Sequence, residues 1–256
     1  MTFDALQQQM RAYEADTAGR IPDDALVVAR LDGRGFTRLL RETHPFEAPF
    51  DIRFRDLMVA TAQHVMEAGF RVLLGYTQSD ELSLLFHPDD RTFGRRRGKV
   101  LSVLSGEASA AFSLGLGAPA CFDCRLAEFP DAAAVVDYFR WRMADASRNA
   151  LTAHAYWMLR KEGLSGTAAA GRIDGLSADD KEALLTEREI VFRDVPAWQR
   201  RGVALYEETY EKHGVDPRTG KETVAERRRL RVDLDLPEGP AFGAFVRERL
   251  AGAISG

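Results

Sequence analysis

Three carboxylates lie at the ends of apolar, strand-like segments, where they could hold metal ions. Asp32 closes the run ALVVARL, and Asp80 and Glu81 separate the runs RVLLGY and LSLLF. Carboxylates from neighbouring strand ends can bind two Mg²⁺ ions, which can clamp the attacking and leaving oxygens of a nucleotidyl transfer. The carbonyl of Gly33 would add an oxygen ligand. A lone Asp before Gly, or a lone Ser-Asp between strands, is more typical of a simple turn, so the combination is what favours a metal site.

A basic run, Arg95, Arg96, Arg97 and Lys99, follows the second acidic segment. At the predicted start of a helix these charges oppose the helix dipole. Phosphate is the natural counter-ion at such a place. We therefore predict a phosphate-binding helix start beside the acidic pair, with a solvated helix face as the open alternative. The arginines at 227–231 are interpreted as a solvated face.

Cysteine and histidine do not form a convincing metal or redox motif. Cys121 and Cys124 are the only cysteines, and an offset of three puts them on opposite faces of a strand. No second cysteine pair completes a zinc site. Both cysteines are therefore predicted to be core residues. The five histidines show no metal-ligand spacing.

Hydrophobic patterning predicts how the acids are positioned. Strands are expected at 25–31, 70–75, 81–86 and 121–129, and helices at 49–68 and 92–114, with a hairpin link at 76–80. This β-α-β-β-α-β order is ferredoxin-like and gives an antiparallel sheet with both helices on one face. Its first and third strands are adjacent, so Asp32 and Asp80 should face each other. Polymerase palms share the order, but so do unrelated binding domains.

The remainder of the chain is predicted to be a helical and β extension of the same compact unit. A helix is expected through Ala15 at the start, and later elements follow the fourth strand. These are helices at 132–161, 167–172 and 178–186, strands at 189–193 and 202–208, and a turn at 215–220. The predicted organisation is a palm-like catalytic core over 1–130, with the long helix and extension over 131–256.

Composition excludes several functional classes. The chain has 256 residues, with 45% hydrophobic and 29% charged residues, a soluble balance. Its net charge of −4 gives no global basic field, so RNA binding must come from local patches or from an oligomer. Two cysteines fit a reducing cytoplasm. The start lacks the apolar segment of a signal peptide, and no run is long enough to cross a membrane. We therefore expect a cytoplasmic protein without a membrane partner.

The motifs together resemble one known family, the tRNA(His) guanylyltransferases and the related 3′-to-5′ polymerases. The resemblance runs in family order from Leu26 to Leu205. The combination of D-G-R-x-F, Q-S-D-E and D-Y-x-x-W-R is highly specific. The matching stretches are VVARLDGRGFTRL, GYTQSDELSLLF, RRRGKVLSVLSGEAS, FDCRLAEFP, DYFRWRMADASRNALTAHAYW and GLSADDKEALLTE.

The resemblance implies a polymerase-like palm that adds a nucleotide to the 5′ end of tRNA. The 5′-monophosphate is activated with a nucleoside triphosphate, the 3′-hydroxyl of GTP then attacks, and pyrophosphate or AMP leaves. GTP and ATP are the implied substrates, two Mg²⁺ ions the cofactors, and a homotetramer, a dimer of dimers, the assembly.

The resemblance also implies roles for individual residues. Metal ligands are implied at Asp32, Gly33 and Asp80, with Glu81 as an acidic neighbour important for activity. Arg96 and Lys99 match basic residues implicated in 5′-end activation. The implied nucleotide-binding positions are Gly33, Arg34, Gly35, Phe36, Thr37, Ser79 and Lys181.

Departures from the family pattern favour a repair enzyme over a strict tRNA(His) enzyme. Where typical eukaryotic members have H-I-N-N-L-Y-N, this chain has SRNALTA at 147–153, and the family His after D-G-R-x-F is Thr37. The pattern fits relatives that restore truncated tRNA 5′ ends by templated addition. A non-catalytic RNA-binding ferredoxin-like module is the alternative, but no strand has the aromatic pattern of such modules. A nucleotide cyclase palm would not explain the D-Y-F-R-W-R helix.

Overall fold

A six-stranded antiparallel sheet forms the centre of the protein. The computed structural model describes residues 19–44, 46–215, 218 and 222–254. The strand order is β4-β1-β3-β2-β5-β6, and every neighbouring pair is antiparallel. The strands are β1 Leu26–Gly33, β2 Val72–Gln78, β3 Glu81–Phe86, β4 Phe122–Phe129, β5 Val203–Val215 and β6 Glu222–Asp233.

Seven helices, numbered here among the described residues, surround the sheet. They are α1 Ile52–Met66, α2 Arg97–Leu116, α3 Ala132–Lys161, α4 Gly166–Ile173, α5 Ala178–Thr186, α6 Ala197–Arg201 and α7 Gly239–Ile254. Shorter helical turns occupy Phe36–Arg38, Leu39–Thr43, Thr92–Arg95 and Phe192–Asp194. Four helices begin at a side chain that accepts a backbone N–H bond, namely Asp51, Asp131, Ser165 and Ser177. Such caps satisfy N–H groups that the helix itself leaves unpaired.

The central strands are buried on both faces, and successive residues of each strand reach opposite faces. Val27, Ala29 and Leu31 of β1 join a core with residues of α1 and α2. Val28, between them, joins a second core with residues of α3 and α7. The second half of α3 packs with α4 and α5 in a third cluster. The long helix α3 therefore covers the face opposite α1 and α2, which the sequence did not indicate.

The predicted elements are confirmed where the hydrophobic pattern is long or sharply bounded. The predicted bounds of β3, α3 and α5 agree with the structure. The predicted link at 76–80 was wrong, because β2 continues to Gln78 and leaves only Ser79 and Asp80 in the turn. The start of α2 was also misplaced. Phe93, Gly94 and Arg95 have positive φ angles, so the helix begins only at Arg97.

The C-terminal part differs most from the prediction. The segment 189–193 forms no strand, and α6, β6 and α7 were not predicted. The predicted N-terminal helix and most of the 215–220 turn lie outside the described residues. Within the described part of the chain, no helix has the length and apolarity needed to cross a membrane.

Candidate active site

The end of β1 and the turn before β3 bring the predicted acids together. Asp32 is the register partner of Glu81, the first residue of β3. Asp80 occupies the two-residue turn just before it, and the Gly33 N–H donates to the Asp80 carbonyl oxygen at 3.0 Å. The predicted proximity of Asp32 and Asp80 is therefore confirmed.

The environment of Asp80 disfavours its ionised form. Burial raises the pKa of its carboxyl, and the negative charge of Asp32 raises it further. The Ser79 hydroxyl opposes this by donating to Asp80 Oδ1 at 3.1 Å. Among the ion pairs of the described residues, none involves Asp32 or Asp80, although arginines pair with Glu81 next to them. Two adjacent carboxylates without a protein cation suit a bound divalent cation.

The acid pair fits Mg²⁺ in chemistry but supplies only part of a coordination shell. Mg²⁺ prefers oxygen ligands and commonly takes one or two protein carboxylates together with water and substrate phosphates. Within the described residues, no group of three or more His, Cys, Asp and Glu side chains is arranged to hold a metal. The remaining ligands would therefore be backbone, water or substrate oxygens.

Glu81 differs from the two aspartates because protein cations neutralise it. Arg142 Nε donates to Glu81 Oε1 at 2.8 Å, and Arg30 Nε lies 3.8 Å from Oε2. Burial raises the pKa of Glu81, while the two arginines lower it. Arg142 also donates to Asp145 at 2.7 Å. Glu81 therefore links β3 to α3 through Arg142. Its contacts can position β3, and with it Asp80, relative to α3.

The D-G-R-G-F turn is shaped by close packing around Gly33. A Cβ atom there would lie 2.6 Å from the Phe36 ring, so only glycine fits. Gly35 has a φ of 73°, which also favours glycine. The Phe36 side chain is 1% exposed and packs against Phe112 and Phe122, so the nucleotide-binding role implied for this position stays a prediction that only its backbone could meet.

An open cavity of about 490 Å³ lies directly beside Asp80. Thr37 and Ser79 line it, as predicted for nucleotide-binding residues, and Gln78 and Thr77 of β2 line it too. Its walls include the aromatic side chains of Phe46, Phe50, Phe54, Trp157 and Trp198. Ligand cavities typically have this size and this mixture of apolar walls and few polar groups. The cavity can therefore hold a planar base next to the acids.

Helix α3 supplies one wall that sequence patterning did not assign. Asn149, Ala150, Ala153 and Trp157 all line the cavity. Ala150, Ala153 and Trp157 are spaced by three and four residues, and Asn149 lies four residues before Ala153, so all four share one face of the helix, and this spacing was the signal that could have identified them. Trp198 comes from α6, and the Arg55 guanidinium lies 4.9 Å from its ring centroid. No local pattern connects Trp198 to residues so far away in the chain.

The basic run does not lie beside the acid pair. Arg95 is buried and donates to the Ala25 carbonyl at 2.8 Å, and Arg97 pairs with Glu128 at 2.7 Å. Ala25 precedes β1, and Glu128 faces Val27, so both mark the end of β1 opposite Asp32. The reason is topological: β3 runs away from the Asp80 turn, so α2 must begin at the far end.

The four basic residues of this run differ in exposure and in their partners. Arg95 and Arg97 have protein partners, whereas Arg96 and Lys99 are exposed. Arg96 Nε donates to the Phe93 carbonyl at 3.2 Å. The implied role of Arg96 and Lys99 in 5′-end activation stays a prediction, but their placement next to the acids of the same chain was wrong.

The other implied nucleotide-binding residues, Arg34 and Lys181, are not among the residues that line the cavity. Arg34 is exposed, and its N–H donates to the Cys121 carbonyl at 2.8 Å. Lys181 on α5 donates to Thr152 Oγ1 at 3.2 Å and does not line the cavity. Thr152 precedes Ala153, which does. The role of Lys181 stays a prediction.

The two cysteines have different environments. Cys124 packs against the first core, and burial raises its pKa to about 12. Cys121 is exposed, so the prediction that it belongs to the core was wrong. Its carbonyl holds the Arg34 N–H, so its position supports the glycine-rich turn through the backbone.

Comparison with known proteins connects this arrangement to one family. The family model described as tRNAHis guanylyltransferase matches residues 7–130, and the model described as Thg1 C terminal domain matches residues 133–234. A probable tRNA(His) guanylyltransferase of Drosophila melanogaster is 33% identical over 208 residues, which cover 77% of this chain and 72% of that protein.

Two solved structures have the same fold over nearly their whole length. Both are bacterial tRNA(His) guanylyltransferase-like proteins, one in complex with GTP and one with ATP. The GTP complex is 26% identical with a TM-score of 0.72, and it matches 96% of this chain and 99% of that one. The ATP complex is 25% identical with a TM-score of 0.76, over 96% and 98% of the two chains.

Proposed function

The chain belongs to the tRNA(His) guanylyltransferase family, and we propose that it adds nucleotides to the 5′ end of tRNA in the 3′-to-5′ direction. It is thus a nucleotidyltransferase, like its relatives. The observation that carries the proposal is the pair Asp32 and Asp80, which has no cationic partner among the described residues, beside a cavity with aromatic walls. The two family models meet at residues 130–133, which supports a palm-like catalytic core over 1–130 and an extension over 131–256.

In this proposal the cavity holds the incoming nucleotide. The base lies against the aromatic wall to which Phe50 and Trp198 contribute, and GTP and ATP are the candidate occupants because they occupy related proteins. Thr37 and Ser79, at the cavity wall nearest Asp80, are placed to contact the sugar and phosphates. The rigid turn at Gly33 keeps the main chain close to the same position.

Asp32 and Asp80, with the Gly33 carbonyl, would hold two Mg²⁺ ions. When bound, such ions supply charge stabilisation for the attacking and leaving oxygens of a phosphoryl centre. The protein contributes the fixed spacing of the two carboxylates, set by the β1–β3 register. The Arg142–Glu81 ion pair keeps β3 and α3 together, so that the cavity wall on α3 stays beside the acids.

The chemical step joins two substrates. The 3′-hydroxyl oxygen of the incoming nucleotide forms a bond to the 5′-terminal phosphorus of the tRNA and loses its proton. The bond from that phosphorus to the activating group breaks, and AMP leaves from an adenylylated end or pyrophosphate from a triphosphorylated end. The net result is a tRNA one nucleotide longer at its 5′ end.

We further propose that base pairing selects the added nucleotide. Ala150 and Ala153 line the cavity where the family pattern has asparagines, so fewer polar groups can recognise one base. Pairing against the acceptor strand would supply the selectivity, and the protein would need to bind only backbone and shape. The expected substrates are therefore several tRNAs that lack a 5′ nucleotide.

The test measures nucleotide addition to a His tRNA and to several other tRNAs, each shortened by one 5′ nucleotide. Comparable kcat/KM values across the set are expected. A preference for the His tRNA above about a hundredfold, or roughly 2.7 kcal/mol of selective binding, would refute the templated role and favour strict guanylylation. Binding of tRNA without any Mg²⁺-dependent addition would refute the enzymatic proposal and favour an RNA-binding module.

A further inference from the structure

Strands β1 and β4 place a pair of arginines beside the acids. The register sets Asp32 opposite Asp123 and, two residues earlier, Arg30 opposite Arg125. Directly opposed residues of antiparallel strands project from the same face. The sheet face that packs on α3 therefore carries a carboxylate row and a guanidinium row, about 7 Å apart along the strands. We call Arg30 and Arg125 the arginine shelf.

Arg30 of the arginine shelf is only weakly paired within the protein. Arg30 Nε is buried without a hydrogen bond among the described residues, and its nearest carboxylate is Glu81 at 3.8 Å. Glu81 is already bonded to Arg142 at the shorter distance of 2.8 Å. One carboxylate thus serves two guanidinium groups, and Arg30 is the more weakly paired of the two.

Arg125 is also available for another partner. Its ion pair with Asp123 has a distance of 3.4 Å, and its side chain is 59% exposed. Exposed pairs of this kind contribute little stability, so an anion can replace Asp123 without a large cost. Like charges directly opposite each other on two strands are destabilising. A phosphate between Arg30 and Arg125 would remove this repulsion, and the planar guanidinium matches phosphate oxygens well.

The arginine shelf and the nucleotide cavity lie on opposite sides of the acids. The cavity is lined by Thr77, Gln78 and Ser79 on the β2 side of the sheet, whereas Arg30 lies on β1 and Arg125 on β4. An anion on the shelf would then belong to the second substrate, and the GTP-binding control below distinguishes it from the phosphate tail of a nucleotide whose base fills the cavity. The two substrates of the transfer can approach the acids from the two sides without overlap.

We propose that Arg30 and Arg125 bind the terminal 5′-phosphate of the RNA substrate and direct it towards Asp32. This inference rests on the proposed function, because it assumes that RNA is the second substrate. It assigns the two sides of the acid pair: nucleotide on the β2 side and RNA 5′ end on the β4 side.

Binding without turnover tests the inference. A tRNA acceptor-stem RNA with a 5′-phosphate and the same RNA with a 5′-hydroxyl are titrated in EDTA, and fluorescence anisotropy gives both dissociation constants. The wild-type protein is expected to prefer the phosphorylated RNA about tenfold, as a charge-assisted contact would give. Arg125→Gln should reduce this preference below about threefold, and Arg125→Lys should keep part of it because the charge remains.

Two controls separate the shelf from general effects. Arg140→Gln removes an exposed arginine of α3 that pairs with Asp137 away from the shelf, and it should keep the full phosphate preference. GTP binding should be unchanged in Arg125→Gln, since the cavity lies on the other side. Arg30→Gln should act like Arg125→Gln if its melting temperature shows a folded protein, and the exposed Arg125 keeps the test decisive if it does not.

The failures of the two proposals are distinguishable. No phosphate preference in the wild type, or an unchanged preference in Arg125→Gln, overturns the shelf. A loss of GTP binding in Arg125→Gln also overturns it and assigns the arginine to the nucleotide. A shelf that binds 5′-phosphate in a protein that transfers no nucleotide would leave this inference standing and refute the proposed function.

Discussion

Each end of the central sheet has a cluster of charged residues, acidic at one end and basic at the other, and the two clusters differ in how many protein partners they have. At one end Asp32 and Asp80 lie together without a protein cation among the described residues. At the other end Arg95 donates to the Ala25 and Pro88 carbonyls, and Arg97 pairs with Glu128. A charge cluster whose members have partners stabilises the fold. A cluster of charged side chains without ion-pair partners can instead bind a ligand of opposite charge.

Loss of either aspartate should therefore have the largest effect on activity. Asp32→Ala or Asp80→Ala is expected to lower nucleotide addition on the order of thousands-fold, several kcal/mol of transition-state stabilisation. The fold should persist, because neither carboxylate forms an ion pair within the described part of the chain. Labelled GTP incorporation into a shortened tRNA measures the rate, and melting temperatures check folding. Near-normal turnover of either variant in Mg²⁺ would show that the acids are not the site.

A second prediction concerns Arg96 and Lys99, which lie at the end of the sheet opposite the acids of their own chain. If they assist 5′-end activation, they must reach the acids of another copy, as a homotetramer would allow. Arg96→Ala and Lys99→Ala should then slow reaction of 5′-monophosphorylated tRNA more than that of 5′-triphosphorylated tRNA. Equal losses on both substrates would leave only a general role in RNA binding.

Hybrid oligomers sharpen this prediction. Hybrid dimers of Lys99→Ala and Asp80→Ala chains should restore about half of the wild-type rate, because each hybrid has one intact site of two. Two different affinity tags isolate the hybrids, and each variant expressed alone is the control. Hybrids no more active than the single variants would place both residues outside a shared site.

A third prediction separates the two kinds of arginine within the same run. Arg95→Ala should lower the free energy of unfolding by about 1–3 kcal/mol, because it removes a buried side chain that donates to the carbonyls of the half-buried residues Ala25 and Pro88. Arg96→Ala is the matched control, one residue away but exposed, and should change stability by less than about 0.5 kcal/mol. Urea unfolding measures both. Equal effects would remove the distinction between partnered and free charge in this run.

Features that depend on residues close together in the sequence, such as single strands and helices, could be predicted. Features that depend on where distant segments lie in the fold could not. Alternating and apolar runs identified β3, and capping acids such as Asp131 help define α3. The proximity of Asp32 and Asp80 followed from the strand order, because adjacent antiparallel strands bring their ends together. The same topology places the start of α2 at the far end, but the short sequence separation between Glu81 and Arg95 suggested the opposite.

The cavity could be predicted only in part. Thr37 and Ser79 were identified through their motifs, which lie next to the acids in the sequence. Trp198 reaches the cavity from α6, a five-residue helix without a hydrophobic period long enough to detect. Phe36 was assigned to the nucleotide because it belongs to a binding motif, yet its ring fills the core beneath Gly33. Membership of a motif does not distinguish a side chain that contacts the ligand from one that packs beneath the motif and supports its backbone.

The smallest predicted effect is a change in the protein's stability caused by the charge of Asp80. The folded-state pKa of Asp80 is raised, so the folded protein binds its proton more tightly than the unfolded chain does. Stability therefore falls as pH rises from the unfolded to the folded pKa, and ionised Asp80 stays destabilising above that window. Asp80→Asn removes this charge and should raise the melting temperature in EDTA at neutral pH by on the order of 2 °C.

The most direct test of the account is a Mg²⁺ titration of melting temperature for the wild type and Asp80→Asn. The account predicts that the variant is the more stable protein in EDTA, that millimolar Mg²⁺ stabilises the wild type, and that the variant gains much less. A variant that is less stable than the wild type in EDTA and responds equally to Mg²⁺ would contradict it. The aspartates would then be ordinary turn residues and not carboxylates kept free for a cation.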